Sequence, residues 1–256
     1  MPRPIRAIGR RLPFGWPDAL RQLALFAAAY GLYQLVRGLV HGEQSVALAN
    51  AEHVVHLERS LGAFFEPGLQ QALVSHQWLI DIADFMYLNT HFVLTTGFLI
   101  WLYTKRNENF YFVRNMFLVA MGLALVGYSL YPTAPPRMLT DAGFTDTISS
   151  FAHQDQDSAL ANVFVNPYAA VPSMHIAFSL MIGVPGAVLC RSLGARLWWS
   201  AYPMVVLFVI IVTANHFWFD AACGAAVACM AAVASTQLAR LRPAWSWREA
   251  TGELTA

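Results

Sequence analysis

Long apolar runs constrain this chain more than any other feature of its sequence. Windows of about 20 residues identify such runs at residues 20–40, 78–103, 111–131, 173–190, 197–213 and 216–238. Only 12% of the 256 residues are charged and 57% are hydrophobic, which excludes an ordinary soluble domain. Helices satisfy all their backbone hydrogen bonds internally, as a bilayer requires. The sequence therefore predicts an all-α, polytopic membrane helix bundle with six transmembrane helices.

The basic residues around these runs predict how the bundle is oriented. They cluster before the first run, between the second and third, between the fourth and fifth, and after the sixth, whereas the opposite loops contain only Arg59 and Arg137. Cytoplasmic loops carry the excess of lysine and arginine. Both termini, residues 1–19 and 239–256, are therefore expected in the cytoplasm of a single-domain membrane protein. In a bacterium it would lie in the plasma membrane with an outward-facing site, and in a eukaryote the site would face a lumen.

The segment of residues 41–77 is too polar to cross the bilayer and predicts an amphipathic helix on the outer face. Its apolar stripe would consist of Val46, Ala49, His53, Val54, Leu57 and Leu61. Glu58 falls elsewhere around this helical wheel, and the helix should end near Gly62. Such a helix either packs on the bundle surface or guides lipid to a site. The long polar loop of residues 132–171, also on the outer side, is a candidate lid.

A histidine and an aspartate, His216 and Asp220, open the sixth apolar run. A spacing of four residues places two side chains on one face of a helix, so the carboxylate could hold one imidazole nitrogen and leave the other free to react. Burying a charged aspartate in a membrane costs roughly 2.5 kcal/mol or more, which favours a functional role. The alternative is a polar pair that caps the aqueous end of a helix.

Two further motifs fall on the same predicted outer side. Pro172-Ser173-Met174-His175 opens the fourth run, where Ser173 could cap a helix whose free N–H groups and dipole favour an anion. Arg137 follows three prolines after the third run, and its planar fork suits phosphate oxygens. The alternative for this arginine is a side chain that extends to the membrane interface. His175 would then stand within reach of His216.

Two histidines, an aspartate, an arginine and a helix N-terminus together suit phosphoryl transfer through a covalent phosphohistidine. One imidazole attacks phosphorus, the other protonates the leaving oxygen, and the donors stabilise charge on the phosphoryl oxygens. This chemistry needs no metal or other cofactor, and the three cysteines lie in apolar runs without metal-ligand spacing. No basic stripe with interleaved aromatic residues predicts a nucleic-acid partner.

These motifs resemble the membrane branch of the type-2 phosphatidic acid phosphatase superfamily, and within it the inositolphosphorylceramide synthases, which are inositolphosphotransferase-type proteins. The resemblance covers a catalytic core at about residues 78–238. It implies that His216 is the nucleophile, that Asp220 orients it, and that His175 is the general acid and then the base. It also implies a lipid-phosphate substrate in the membrane.

The chain departs from the standard pattern of that superfamily at four positions. Leu130 stands where a lysine is expected, and Val209 and Ile210 stand where a Ser-Arg pair is expected. Met174 replaces the usual glycine. Fewer cations near the phosphate favour transfer to an alcohol acceptor, such as a polyol, over simple hydrolysis. The alternatives are a plain lipid-phosphate or polyprenyl-phosphate phosphatase, and a non-catalytic lipid-binding or transport protein that kept the fold.

Several polar residues near these motifs are candidates for a substrate pocket, namely Tyr87, His91, Tyr131 and Asn215. A polar group inside a membrane is either satisfied by its neighbours or lines a cavity. Small residues in the apolar runs predict sites where helices approach closely, at Gly122, Gly127, Gly183, Gly186 and Gly224.

Overall fold

The computed structural model describes residues 12–39, 44–152 and 168–246. In these ranges the chain forms helices and one isolated bridge between Thr133 and Ala169, so the predicted all-α class is confirmed there. Three predicted features lie at least partly outside the described residues: the basic N-terminus before residue 12, the middle of the candidate lid at residues 153–167, and the tail from residue 247.

The helices are numbered in chain order. Their bounds are α1 Gly15–Leu39, α2 Gln44–Ser60, α3 Glu66–Val74, α4 Gln77–Phe85, α5 His91–Lys105, α6 Asn107–Leu130, α7 Thr147–Ala152, α8 Met174–Leu189, α9 Leu193–Val212, α10 Trp218–Leu241 and α11 Pro243–Ser246. A π-helical turn at Met86–Thr90 joins α4 to α5. Short 3-10 turns at Pro136–Met138 and Thr140–Ala142 follow α6.

Four helical segments are long and apolar enough to cross a membrane, which is consistent with an integral membrane protein. They are the continuous α4–α5 segment at Gln77–Lys105, and α6, α9 and α10. Helix α8 is apolar but has only 16 residues, and α1 is not among the four although it has 25 residues. The count of six spans therefore stays a prediction.

Helix α8 lies at the centre of the bundle, in contact with α5, α6, α9 and α10. The chain alternates direction from α6 to α8 to α9 to α10, so the end of α6 and the starts of α8 and α10 meet at one end of the bundle. The N–H of Ser173, just before α8, donates to the carbonyl of Asp220 in α10 at 3.0 Å. The three sequence motifs are therefore brought to the same end.

Close helix contacts occur at four of the five predicted glycines: Gly127, Gly183, Gly186 and Gly224. A Cβ atom on Gly224 would lie 2.2 Å from the carbonyl oxygen of Ser173, so the start of α8 packs directly on the backbone of α10. The prediction was wrong for Gly122, around which nothing lies within 4 Å of the Cβ position.

Helix α2 forms where the sequence predicts it but buries a different face. The predicted stripe is largely exposed, with Val46 at 45%, Leu57 at 40% and Leu61 at 61%. Val54 is buried as predicted, but its buried neighbours are Ala47, Ala51, Val55 and Glu58, which were not in the predicted stripe. These alanines allow close packing of the helix, which the stripe of larger residues would not. The helix ends as predicted, because Gly62 has a φ of 66° and the N–H of Ala63 donates to the carbonyl of Glu58.

The buried face of α2 packs on the loops that carry the sequence motifs. It forms a small hydrophobic cluster with Ala134, Phe144, Ala214 and Phe217. Asn50 donates to the carbonyl of Pro132 at 2.7 Å, and the N–H of Ala134 donates to the carbonyl of Ala47 at 3.0 Å. Helix α2 is therefore attached to the motif-bearing end of the bundle.

Candidate active site

The side chains of His216 and Asp220 contact each other, although not on one helical face as the spacing predicts. Helix α10 begins at Trp218, so His216 lies in the preceding turn and Asp220 in the first helical turn. The chain changes direction at Ala214, whose φ of 49° lies in the left-handed region. His216 Nδ1 lies 3.2 Å from Asp220 Oδ2 across the helix N-terminus. The predicted start of a helix at residue 216 is wrong by two residues.

Asp220 fixes the orientation of the His216 ring. Its carboxylate is fully buried, and Oδ2 also accepts the N–H of Phe217 at 3.0 Å. Because a carboxylate accepts hydrogen bonds, it selects the tautomer of His216 with hydrogen on Nδ1. The lone pair of His216 is then on Nε2, the nitrogen that does not contact Asp220.

His175 faces His216 from the first turn of α8. The two ring centroids are 5.7 Å apart. The ring of His175 stacks on Tyr87 with centroids 4.4 Å apart and lies 5.1 Å from the ring of His91. The structure thus brings together both predicted histidines and two of the predicted pocket residues.

The π-helical turn between α4 and α5 places Tyr87 and His91 beside His175. Single π turns inside α-helices are frequent at functional sites. His91 is buried, and its Nδ1 lies 2.9 Å from the hydroxyl of Tyr202 in α9. Both alternatives for His91 therefore hold: a neighbour satisfies one nitrogen, and the residue lines a small cavity together with Tyr87 and His175. Sequence reasoning missed Tyr202, which no local motif marks.

Arg137 is held by the turn that precedes α10. Its backbone N–H donates to the carbonyl of Ala214 at 2.8 Å, and its Nη1 donates to the side-chain oxygen of Asn215. Asn215 is itself oriented by donating to the hydroxyl of Thr213 at 2.8 Å. Asp146, at the start of α7, lies 3.9 Å from Arg137 Nε. Asn215 therefore contacts Arg137, which links the segment after α6 to the turn before α10.

Ser173 is fully buried at the start of α8. The predicted cap is not formed, because its hydroxyl makes no hydrogen bond to the first turn of the helix. Within the described residues, Ser173 Oγ has no hydrogen-bond partner. A buried hydroxyl without a partner is unusual in a protein interior and suits a ligand oxygen.

Tyr131 follows α6 and donates its hydroxyl to the carbonyl of Asn50 in α2 at 3.2 Å. Burial raises the pKa of Tyr131, and the negative charge of Asp220 raises it further. The phenol therefore lies within the electrostatic influence of the His216–Asp220 pair, although its hydrogen bond serves to attach α2.

Two glutamates that sequence reasoning missed lie directly behind the pair. Glu58 in α2 and Glu66 in α3 are fully buried, and each accepts a backbone N–H from the first turn of α10. The helical wheel assigned Glu58 to the polar side of α2. The signal that could have found it is the small-residue face of Ala47, Ala51 and Val54, on which Glu58 also lies.

Within residues 12–39, 44–152 and 168–246, no group of three or more histidine, cysteine, aspartate or glutamate side chains is arranged so that it could hold a metal ion.

Buried polar side chains thus converge at one end of a bundle of long apolar helices, as in membrane-embedded enzymes that act on lipids. A family model of the PAP2 superfamily matches residues 52–234, which is most of the chain, and the protein belongs to this superfamily. Its members are typically phosphatases, which supports an enzyme of the lipid-phosphatase type with a lipid-phosphate substrate in a membrane. Searches of curated proteins and of solved structures gave no significant match.

Proposed function

We propose that this protein is an integral-membrane enzyme that transfers a phosphoryl group or a phospho-headgroup from a lipid through a phosphohistidine on His216. The observation that carries the proposal is the buried contact between His216 Nδ1 and Asp220 Oδ2, with the ring of His175 5.7 Å away. A lipid-binding or transport protein has no evident need for an oriented histidine opposite a second histidine.

In the first step, Nε2 of His216 attacks phosphorus and the bond from phosphorus to the leaving oxygen breaks. His175 gives its proton to that oxygen. The proton on His216 Nδ1 stays on that nitrogen, hydrogen-bonded to Asp220. The negative charge of Asp220 stabilises the phosphorylated ring. In the second step, His175 removes a proton from water or an alcohol, whose oxygen attacks phosphorus and releases His216.

Arg137 and Ser173 bind the phosphate oxygens in this scheme. The guanidinium of Arg137 is fixed by Asn215, and Asp146 balances part of its charge. The hydroxyl of Ser173 and the N-terminus of α8 supply further donors. Donors that are already oriented stabilise charge on the phosphoryl oxygens without reorganising during the reaction.

The phosphate environment favours a donor with a single negative charge. Val209 and Ile210 are buried and line the cavity beside His175, at positions where the resemblance to the superfamily expects Ser-Arg. A phosphodiester carries one negative charge and needs fewer cations than a monoester. This supports transfer of a phospho-headgroup, of the inositol-phosphate type, to an alcohol acceptor such as a polyol.

The site is proposed to face the extracytoplasmic side. The opposite end of the bundle has a surface cavity lined by Lys105, Arg106 and Arg191, as the positive-inside rule expects of the cytoplasmic end. The exposed stripe of Val46, Leu57 and Leu61 would then place α2 at the outer membrane surface.

The test uses the purified protein with a panel of labelled lipid phosphates and phospholipids, with and without polyols. Label released as inorganic phosphate indicates hydrolysis, and label in a new lipid indicates transfer. His216→Ala should abolish both, whereas the exposed His56→Ala should not. Undiminished turnover by His216→Ala would contradict the mechanism. Lipid binding without turnover by the wild-type protein would favour a non-catalytic role.

A further inference from the structure

The N-terminus of α10 is surrounded by three carboxyl groups from three different elements. Asp220 accepts the N–H of Phe217 at 3.0 Å. Glu66 of α3 accepts the N–H of Trp218 at 3.1 Å, and Glu58 of α2 accepts the N–H of Phe219 at 3.0 Å. The first N–H groups of a helix have no partner within the helix and carry its positive dipole end. Carboxyl groups that come from distant parts of the chain satisfy them here.

The two glutamates differ in the donors that they receive. Both oxygens of Glu66 accept N–H groups, because Oε2 also accepts the N–H of Phe65 at 2.9 Å. Glu58 uses only Oε1, and within the described residues no N–H or O–H group reaches its Oε2. Glu58 and Glu66 accept the N–H groups of adjacent residues, Phe219 and Trp218, so the two buried carboxyl groups lie side by side. Two carboxylates cannot donate to each other, so a hydrogen bond between them requires a proton on one of the two.

The surroundings of Glu58 favour its protonated form. Burial raises its pKa to about 9, and contact with the charge of Glu66 acts in the same direction. Asp220 also raises it, while the N–H of Phe219 lowers it. The titratable groups that face Glu58 are thus Glu66 from α3 and Asp220 from α10, with His216 behind Asp220. Among the described residues, neither glutamate forms an ion pair with a lysine or arginine.

We propose that Glu58 and Glu66 form an acid–carboxylate pair, with the proton on Glu58 Oε2, that positions the N-terminus of α10 and thereby the His216–Asp220 pair. Both are positioning residues, since they act through the backbone of Trp218 and Phe219. The proposal rests on the proposed function for its effect on turnover, but not for its effect on stability. Burying two carboxyl groups lowers the free energy of unfolding, so stability alone does not explain why both are buried here.

Glutamine substitution separates the two glutamates. In Glu58→Gln the amide oxygen can accept the N–H of Phe219 and the amide nitrogen can donate to Glu66, as a protonated carboxyl does. This variant should retain kcat within about twofold. In Glu66→Gln the amide nitrogen must face the N–H of Phe65 or Trp218. Its kcat should fall about 10- to 100-fold, the usual effect of losing a supporting hydrogen-bond partner, with KM little changed. The control is Glu52→Gln, on the exposed face of α2.

A pH series gives a second readout that needs no turnover. Thermal unfolding of the wild-type protein in detergent should shift to lower temperature as the pH rises towards 9, because the unfolded chain has lost the proton that folded Glu58 still holds. Glu58→Gln should lack this alkaline shift, whereas Glu52→Gln should retain it. If the wild-type protein turns over no lipid phosphate, the proposed function fails, but this measurement still tests the acid–carboxylate pair.

Two outcomes would overturn the proposal. One is an alkaline shift in Glu58→Gln equal to that of the wild type, which would mean that Glu58 holds no proton. The other is a folded Glu66→Gln with the kcat of Glu52→Gln, which would remove the positioning role. If Glu66→Gln does not fold, the pH series on Glu58→Gln decides.

Discussion

Replacing Gly224 with alanine should separate the two halves of the proposed active site. The new Cβ atom would lie 2.2 Å from the carbonyl oxygen of Ser173, whereas ordinary contacts begin at 3.4 Å. The obstructing atom belongs to the backbone, so α10 and the start of α8 must move apart by about 1 Å. Such overpacking costs about 1–3 kcal/mol of stability. The same displacement carries Ser173 and His175 away from His216, and a misplacement of 1 Å can cost about 100-fold in rate.

The matched control is Gly122→Ala in the middle of α6. Nothing lies within 4 Å of its Cβ position, so alanine should stabilise the helix by up to about 1 kcal/mol. Thermal unfolding in detergent and turnover of a lipid phosphate measure the two effects on the same preparations.

A Gly224→Ala protein with the stability and turnover of Gly122→Ala would refute the reasoning. It would mean that the contact between α8 and α10 is looser than described, or that its spacing does not matter to the reaction. A loss of stability without a loss of turnover would refute only the claim that the packing of α8 on α10 sets the geometry of the site.

Four further predictions follow from single contacts. Asp220→Asn should lower kcat about 10²- to 10⁴-fold with the fold retained, because an amide still accepts the N–H of Phe217 but no longer fixes the tautomer of His216. Arg137→Lys should raise KM about tenfold, equivalent to about 1.4 kcal/mol, since an ammonium cannot replace the planar fork. Tyr202→Phe should destabilise the protein by about 1–3 kcal/mol in thermal unfolding, because it removes the hydrogen-bond partner of a buried imidazole. The pKa of Glu58, raised from the ordinary 4.5 to about 9, means that the folded chain keeps a proton that the unfolded chain has lost. Stability should therefore fall as the pH rises between these values, relative to Glu58→Gln.

Each of these has a comparison that could contradict it. Normal kcat in Asp220→Asn would remove the orienting role, and an unchanged KM in Arg137→Lys would remove the arginine from phosphate binding. Tyr30→Phe, an exposed tyrosine on α1, provides the control for Tyr202→Phe. Parallel pH curves for the wild type and Glu58→Gln would show that Glu58 is ionised in the folded state.

The sequence could indicate candidate site residues because each motif is local and polar in an apolar setting. His175, Arg137 and His216 stand out for this reason, and the alternating direction of the helices brings them to one end. Superfamily membership is confirmed by the match over residues 52–234. The finer resemblance to inositolphosphorylceramide synthases stays a prediction, since acceptor choice depends on pocket shape, which the motifs do not encode.

What the sequence did not predict depends on contacts between distant elements. A glutamate on an amphipathic helix is expected at the surface, and only the N–H groups of α10 make the burial of Glu58 favourable. The stripe of Val46, Leu57 and Leu61 has helical spacing, but spacing alone does not say which neighbour a face meets. The start of α10 was misplaced because Asp220 caps the helix from inside its first turn, so His216 need not be helical to reach it.

The hydrogen bonds from Glu58 and Glu66 to α10 join residues 161 and 152 positions apart in the chain. During synthesis, α2 and α3 emerge long before the residues whose N–H groups they will bind. The glutamates are therefore expected to stay hydrated or protonated while the intervening helices insert, and the proposed active site can form only after α10 has been made. A ribosome-stalled chain that ends before residue 218 would contain Arg137, Ser173 and His175 but not the N–H groups of α10 that the glutamates bind. Activity is therefore expected only after α10 has been synthesised.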